Sequence, residues 1–479
     1  MERLTGLDAG FLYMETPELH MHTLKVAVLD PAPGVTDFPL DWVTERIAER
    51  LHLLPPFTRR IVEVPGRLHH PVWIEDPDFD ITRHVRMWPV DSPGGSVQRD
   101  EAIARIASRP LDRRRPLWEL WLLHGLAEGQ VGVLVKIHHA AADGVAAAQL
   151  LANVMSTVNT DSHTIAPERH PRRVDEIPSH RRLLTDAFAD HLGQLARLPL
   201  LIVRTIRNLV AVFRWRHADH PDLPRPVIDT PRTSFNGALT SERSFATTSL
   251  PLADLKRVRR SFDVSLNDVV LAVVGGALRN YLTDRGELPT RPLVAGVPVS
   301  TDRPDDVARL GGNRVSNLFT TLATDLADPL ERLAVIHRVT AAAKIQQNLL
   351  GAEMMADWVA YTPPGPYAFA VRHYARLKLA NALPPPLNVV VSNVPGPREP
   401  LFVSGATLRH IFSVGPVLEG IGLNITCWSY LDQLDVGLIA CAAAIPEPIL
   451  IADGLRASLR ELLDLAERSG GFEPPDSTM

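Results

Sequence analysis

β-Branched and apolar residues fill Val131 to His138, broken by Lys136, and this run predicts the clearest strand in the chain. Similar shorter runs predict strands at Thr23 to Leu29, Arg60 to Val64 and Leu117 to Leu123. Leu40 to Leu51 and the Ala- and Leu-rich Val145 to Val158 read as helices. A polar stretch at 161–180 reads as a loop, and one long helical pattern follows over 181–217. There Leu184, Phe188, Leu192, Leu195, Ile202, Ile206, Leu209 and Phe213 fall three or four residues apart, with one step of seven. Pro199 is expected to kink or split this helix. Four prolines within 218–232 mark a linker. Beyond 236 the pattern mixes again. It predicts helices at Leu266 to Leu282, Leu330 to Gln346 and Ile449 to Glu467, with strands at Leu293 to Val299, Asn388 to Ser392, Gly422 to Ser429 and Leu434 to Ala442. The expected organisation is α/β, with units at 1–180, 181–235 (an amphipathic helical crossover and linker) and 236–479. The two outer units are alike in size and pattern, as in a pseudo-duplicated two-domain enzyme.

Length and composition narrow the class. The 479 residues suit two to four domains, and 45% apolar with 22% charged residues is globular. Fifty basic against 55 acidic residues give a formal charge of −5, which argues against a nucleic-acid partner. None of the five lysines precedes Ser or Thr, so no Gly-Lys-Ser/Thr phosphate loop exists. Two cysteines, Cys427 and Cys441, exclude a disulfide scaffold and a CxxC metal site. A hairpin turning at Leu431-Asp432-Gln433 would set Cys427 opposite about residue 438, so both read as buried free thiols in a reducing compartment. Met1-Glu2-Arg3 leads into mixed, charged sequence, which does not read as a signal peptide. The apolar runs 381–398 and 436–452 are interrupted by prolines and read as strands and turns rather than membrane spans.

Candidate chemistry concentrates at Val135-Lys136-Ile137-His138-His139-Ala140-Ala141-Ala142-Asp143-Gly144. A strand runs into paired histidines, then small residues, then Asp-Gly, then a helix. A histidine at a strand end is held from behind and open in front, which suits a general base. His138 and His139 point to opposite faces, so one of the pair is structural. Three alanines leave room for a substrate. Asp143 can orient an imidazole or a neighbouring arginine, or cap the following helix. His139 and Asp143 together could instead supply two metal ligands. Gly144 is expected to permit a conformation that a side chain would hinder. His20, His22, His69 and His70 read as surface or hydrogen-bonded histidines rather than ligands.

Several motifs occur in order. His138 to Gly144 forms HHxxxDG, and Pro116-Leu117-Trp118 lies upstream. Leu7-Asp8-Ala9-Gly10-Phe11 and His20-Met21-His22 stand near the start, and Pro231-Arg232-Thr233-Ser234-Phe235-Asn236 opens the second half. Asn267-Asp268-Val269-Val270-Leu271-Ala272, Val297-Pro298-Val299-Ser300, Gly312-Asn313-Arg314-Val315-Ser316 and Ser392-Asn393-Val394-Pro395-Gly396-Pro397 follow. Over essentially the whole chain this set resembles the bacterial wax ester synthase/acyl-CoA:diacylglycerol acyltransferase family of the chloramphenicol acetyltransferase-like superfamily.

The resemblance implies two chloramphenicol acetyltransferase-like domains, each a mixed sheet with flanking helices, joined by a helical crossover. It implies acyl transfer in a ternary complex, with acyl-CoA as co-substrate and no other cofactor or metal. His139 would take the proton of a diacylglycerol or long-chain alcohol hydroxyl as its oxygen attacks the thioester, then return a proton to the leaving thiolate. No acyl-enzyme is needed, consistent with the lack of a Gly-x-Ser-x-Gly elbow. Asn267 is the family's candidate for the oxyanion, against a plain helix N-cap. Gly144, Trp118 and Arg314 are placed at the substrate channel. Trp118 would serve as an apolar wall, and Arg314 would pair with a carboxylate or meet the coenzyme's phosphates. The channel is expected between the halves, with His139 on one side and Asn267 on the other. The acceptor is insoluble, so a cytoplasmic enzyme peripheral to the membrane or to lipid droplets is expected. The 181–217 helix, with seven Arg against two Asp, is the foothold, or else it packs on its own domains. A carrier-protein-dependent condensation enzyme and a catalytically weak lipid-binding paralogue are the alternatives.

Overall fold

The computed structural model describes residues 1–32, 38–158, 174–218, 223–302, 309–351 and 353–469. Parts of the expected loop at 161–180 and of the linker at 218–232 lie outside them. The strands are β1 (Glu2–Arg3), β2 (His22–Asp30), β3 (Arg59–Val62), β4 (Val72–Glu75), β5 (Val85–Pro89), β6 (Trp118–His124), β7 (Val131–His138), β8 (Arg243–Pro251), β9 (Val294–Ser300), β10 (Val315–Thr321), β11 (Val389–Val394), β12 (Phe402–Val403), β13 (Ala406–Val414), β14 (Leu423–Tyr430) and β15 (Gln433–Cys441). The helices are α1 (Gly6–Met14), α2 (Leu40–Arg50), α3 (Ser96–Ala107), α4 (Gly144–Val154), α5 (His180–Arg216), α6 (Leu252–Ser261), α7 (Leu266–Asp284), α8 (Pro329–Leu350), α9 (Met354–Val359), α10 (Pro364–Arg376) and α11 (Ile449–Arg468).

Two mixed six-stranded sheets carry the fold, in the orders β12-β13-β2-β7-β6-β5 and β10-β9-β11-β14-β15-β8. A small antiparallel sheet, β1-β4-β3, stands beside them. The buried helix α7 lies in the core of the second sheet with Leu271, Leu278 and Leu282 fully covered.

The composition boundary near 235 does not separate the sheets. β13, from the second half, pairs antiparallel with β2 and extends the first sheet. In return α3, from the first half, covers β8, where the Asp100 carboxylate accepts from the Thr247 amide (2.8 Å) and hydroxyl (2.9 Å). One apolar cluster spans both sheets, with Val26 and Leu134 on one side and Phe245 and Ile439 on the other. The halves therefore share a core.

Several local expectations change. The helix expected to reach Val158 stops at Val154, because Ser156 exchanges both backbone hydrogen bonds with Phe402. Pro199 does not split α5. Its missing N–H frees the carbonyl of Leu195, a residue 63% exposed, where water can take the bond. The β14–β15 hairpin turns on two residues with Leu431 at φ 51°, so Cys427 faces Val436 rather than about 438. Cys427 and Cys441 are buried free thiols, and burial pushes Cys427 up to about 12. Among the described residues no single helix is long and apolar enough to cross a membrane; α6 and α7 pass only as a pair bent by 104°.

Candidate active site

β7 delivers the histidines. His22 pairs with His138 across β2, and the His139 amide donates to the Met21 carbonyl at 2.8 Å, so the strand end is held from one side. The two rings then part. His138 is fully buried, and its Nδ1 accepts from the Ala140 amide at 3.0 Å, which puts its proton on Nε2. That Nε2 faces Glu15, whose Oε2 lies 3.9 Å away. Burial pushes Glu15 up to about 7 and His138 well below the usual histidine range, so His138 stays neutral beside a carboxyl that also meets Arg113 at 3.5 Å.

His139 lies on the opposite face and is half-buried. Phe11 stacks on its ring with centroids 4.2 Å apart. Its Nδ1 is 2.9 Å from the Asn313 carboxamide oxygen, and no hydrogen bond among the described residues engages its Nε2. Asn313 is itself fixed: its Nδ2 donates to Asp8 Oδ1 (2.7 Å) and to the His139 carbonyl (2.8 Å). Burial lowers the His139 pKa, opposed by the ring's hydrogen bond to its own backbone carbonyl, by the Asp143 charge and by the Asn313 contact, so the ring is neutral at pH 7.

Asp143 caps α4, its Oδ1 accepting from the Ala146 amide at 2.9 Å. Its Oδ2 accepts from Arg309 Nη2 (2.7 Å) and from the Arg314 amide (2.9 Å). The Asp143 amide donates to the Gly312 carbonyl (3.3 Å), while the Gly312 amide donates to the Ala141 carbonyl (2.9 Å). Of the earlier options, helix cap and arginine partner both hold. The ring-orienting option does not fit, because neither oxygen is bonded to the imidazole, and both oxygens are turned to the Ala146 amide, Arg309 and the Arg314 amide rather than to a site shared with His139. The acid of the motif is a lock between the halves, and it carries Asn313 to His139.

Two spaces flank this centre. An apolar slot of about 140 Å³ runs under the first sheet on the face shared by Ile137, Val135, Val133 and Val131, the alternate residues leading back from His139. α2 and α4 close it, with Ala147 and Leu150 among the lining residues. Lys25 also lines it, held by the Ser413 hydroxyl and lying 5.1 Å from the Trp428 ring centroid. Burial lowers Lys25 to about 8. A wider cleft of about 940 Å³ with a mixed lining approaches from the other side, bounded by Arg3, Arg197, Arg204, Asn313, Arg314 and one flank of α5.

The wax ester synthase/diacylglycerol acyltransferase catalytic-domain model matches residues 4–270, and the C-terminal-domain model of the same group matches 311–463. A Mycobacterium tuberculosis relative carrying the name diacylglycerol O-acyltransferase is 41% identical over 479 residues, covering 100% of this chain and 99% of its own. The chain belongs to the wax ester synthase/diacylglycerol acyltransferase family. A second relative of that name from the same organism is 33% identical over 474 residues, covering 98% of this chain and 97% of its own. The solved wax ester synthase/diacylglycerol acyltransferase from Marinobacter aquaeolei VT8 aligns with TM-score 0.68 and 27% identity over 98% of this chain and all of that one. A trichothecene 15-O-acetyltransferase from Fusarium sporotrichioides shares the fold (TM-score 0.58, 14% identity, 97% and 94% covered). This is the chloramphenicol acetyltransferase-like arrangement that the motifs implied.

In this acyltransferase three expected site residues sit differently from their reading. Asn267 is not the N-cap of α7, which is Ser265 in a capping box with Asp268. The second-half residue at the histidine is Asn313. Trp118 is fully buried, donates from Nε1 to the Phe57 carbonyl (2.8 Å) and stacks between Phe57 (4.3 Å) and His84 (4.6 Å). It backs Phe57, which lines the slot, and does not itself line it. Gly144 is not conformationally required: a Cβ there would lie at an ordinary 3.6 Å from Val394. Arg314 is 54% exposed in the cleft, near Asp302 (3.8 Å). His20, His69 and His70 are buried and hydrogen-bonded, and His22 is buried beside them. Asn313, Asp8 and Phe11 stand in the sequence only as members of motifs, with no role marked by their neighbours. Their signal is the pairing of a buried-type polar residue with a motif some 300 residues away, which no local pattern shows.

Proposed function

We propose that this enzyme transfers a long-chain acyl group from acyl-CoA to the hydroxyl of a diacylglycerol, and of long-chain alcohols, with His139 as general base. The observation that carries the reading is an imidazole whose Nε2 is unengaged beside an apolar slot on the same sheet face. The acyl chain lies along Ile137 to Val131, a run of ~20 Å at strand spacing. The acceptor reaches Nε2 through the cleft. Its oxygen bonds to the thioester carbon as Nε2 takes the hydroxyl proton. The C–S bond then breaks, and the imidazolium protonates the thiolate, releasing free CoA. The family match over most of the chain favours this reading over a carrier-dependent condensation enzyme.

The test is product formation from palmitoyl-CoA with diolein or hexadecanol. Ala147, buried against the slot, gives a sharper form of it. Ala147→Phe should shorten the slot by two or three methylenes and reduce use of palmitoyl-CoA relative to octanoyl-CoA by about tenfold or more, at roughly 0.8 kcal/mol per methylene. An unchanged chain-length profile would show that the acyl chain lies elsewhere.

A lipid surface is the proposed workplace. The apolar stripe on α5 turns outward: Phe188 is 67% exposed, Leu195 63%, Leu200 75% and Phe213 63%, while Leu183, Ala187, Leu201 and Val212 pack inward. One face of the helix thus packs on its own domains, and the exposed face is the one proposed as the foothold. Exposed Arg197, Arg207 and Arg214 suit anionic headgroups, and the same helix walls the cleft, so a docked enzyme would take its acceptor from the surface. Arg207→Glu with Arg214→Glu should release the protein from anionic vesicles at low salt, with transfer to detergent-dispersed diolein retained. Undiminished vesicle binding by that variant rules out α5 as the electrostatic foothold.

A further inference from the structure

Asp8 and Asn313 lie 305 positions apart and meet at the back of the His139 ring. α1 prepares Asp8: Thr5 caps the helix by accepting from the Asp8 amide (3.1 Å) and donates its hydroxyl to Asp8 Oδ2 (2.7 Å). Asp8 Oδ1 is thereby left for Asn313 Nδ2. The lock prepares Asn313: Gly312 sits at φ 72° and bridges Ala142, a left-handed conformation that suits glycine. The Asn313 amide end is bound by two oxygens, a carboxylate and the His139 carbonyl, neither of which donates. Its orientation is therefore determined by chemistry, and its oxygen faces His139 Nδ1. An amide oxygen only accepts, so Nδ1 must carry the proton.

We infer that Asp8, acting through Asn313, is the positioning pair that holds His139 in its Nδ1–H tautomer and aims the Nε2 lone pair at the acceptor hydroxyl. This rests on the reading of His139 as the base. The amide cannot pass a proton on, so the pair does not relay protons. It orients the neutral ring and, once Nε2 is protonated, sets a carbonyl dipole with an anion behind it against the imidazolium. The other ionisable groups near the ring do not fill this place. Asp143 is spent on Ala146, Arg309 and the Arg314 amide, Glu15 faces His138, and Lys25 brings charge of the wrong sign. Burial raises Asp8 to about 6, which leaves it ionised at neutral pH.

The full-length enzyme, labelled with ¹⁵N-histidine, separates this inference from the base assignment. The ring is identified as the signal lost in His139→Ala, and wild type is expected to show Nδ1–H. Asn313→Ala should weaken that preference, which the ring's own backbone carbonyl also supports, and lower kcat about 10- to 100-fold with a smaller change in KM, although Asn313 also lines the cleft. Asp8→Asn, which keeps the volume, should give a smaller loss of the same kind. Asn313→Asp combined with Asp8→Asn, so that the new carboxylate meets an amide donor rather than a second carboxylate, sets an anion directly on Nδ1–H. It should raise the ring pKa and move the acid limb of kcat upward by about one pH unit, a shift that a purely structural residue would not cause. If Asn313→Ala keeps both the Nδ1–H signal and wild-type kcat while His139→Ala is inactive, the positioning role is refuted and the base stands. If His139→Ala transfers acyl groups normally, the base reading fails, and with it the catalytic meaning of the pair, whatever the tautomer. Should Asn313→Ala not fold, Asp8→Asn and the acid limb of the Asp8→Asn, Asn313→Asp double variant decide.

Discussion

Replacing His139 with alanine is expected to reduce acyl transfer by about 10²- to 10⁴-fold, the usual worth of a positioned base, while leaving the protein folded. The ring is half-buried and its main contacts are the Phe11 stack and one bond to Asn313, so its loss disturbs little of the core. His138→Ala should behave in the opposite way. It empties a fully buried site and strands the Ala140 amide, a loss of about 1–3 kcal/mol for the unsatisfied donor alone. Its effect on turnover should be smaller and follow stability. Paired measurement of specific activity and thermal midpoint distinguishes the two. A folded His139→Ala enzyme with wild-type activity, or an inactive His138→Ala enzyme of unaltered midpoint, would reverse the assignment. The pH dependence adds a check. His139 acts as a base only when neutral, and burial holds its pKa below the ordinary histidine value. Activity should therefore persist as pH falls through about 6.5, the unperturbed value, and fail only at lower pH.

The HHxxxDG run was legible because its information is local: a β-branched strand, a change of face between neighbours, and a helix opened by Asp-Gly. The alternation that separates His138 from His139 also identifies the slot, since Ile137, Val135 and Val133 follow His139 down one face. What was not legible depends on contacts between distant segments. β13 escaped notice because a register shift between Leu408 and His410 breaks its period-two pattern. Missing it placed the domain boundary where the composition changes rather than where the sheets divide. α3 was missed because its buried side carries the charges of Arg99 and Asp100, matched to each other and to Thr247 on β8. Asn267 drew attention by standing at a helix start, but Ser265 and Asp268 already satisfy that end. Asn313 could not be told from any other residue of a Gly-Asn turn until the Asp143 lock showed where the turn is held.

That lock yields the second large effect, on stability and only through it on turnover. Asp143 is buried and receives three donors: the Ala146 amide, the Arg314 amide and the Arg309 guanidinium. Asp143→Ala removes the cap, worth about 1 kcal/mol, and leaves Arg309, itself only 15% exposed, short of one of its two anions. Breaking a buried pair from one side costs about 3–5 kcal/mol. Here Asp302 still holds Arg309 at 3.0 Å, so the lower end of that range applies. Asp143→Asn keeps one acceptor for the Ala146 amide but turns an amide nitrogen toward two donors, and should fall between alanine and wild type. Removing both partners tests the cause: Asp143→Asn with Arg309→Met should lose less than the sum of the single changes, because no unpaired charge is left buried. Chemical denaturation of the four proteins measures the coupling. Activity should fall with it, since the 309–314 segment that Asp143 anchors also delivers Asn313 to His139. An Asp143→Ala protein with a wild-type midpoint would mean that the two halves are held by their shared core alone, and that the acid of the motif contributes only a helix cap.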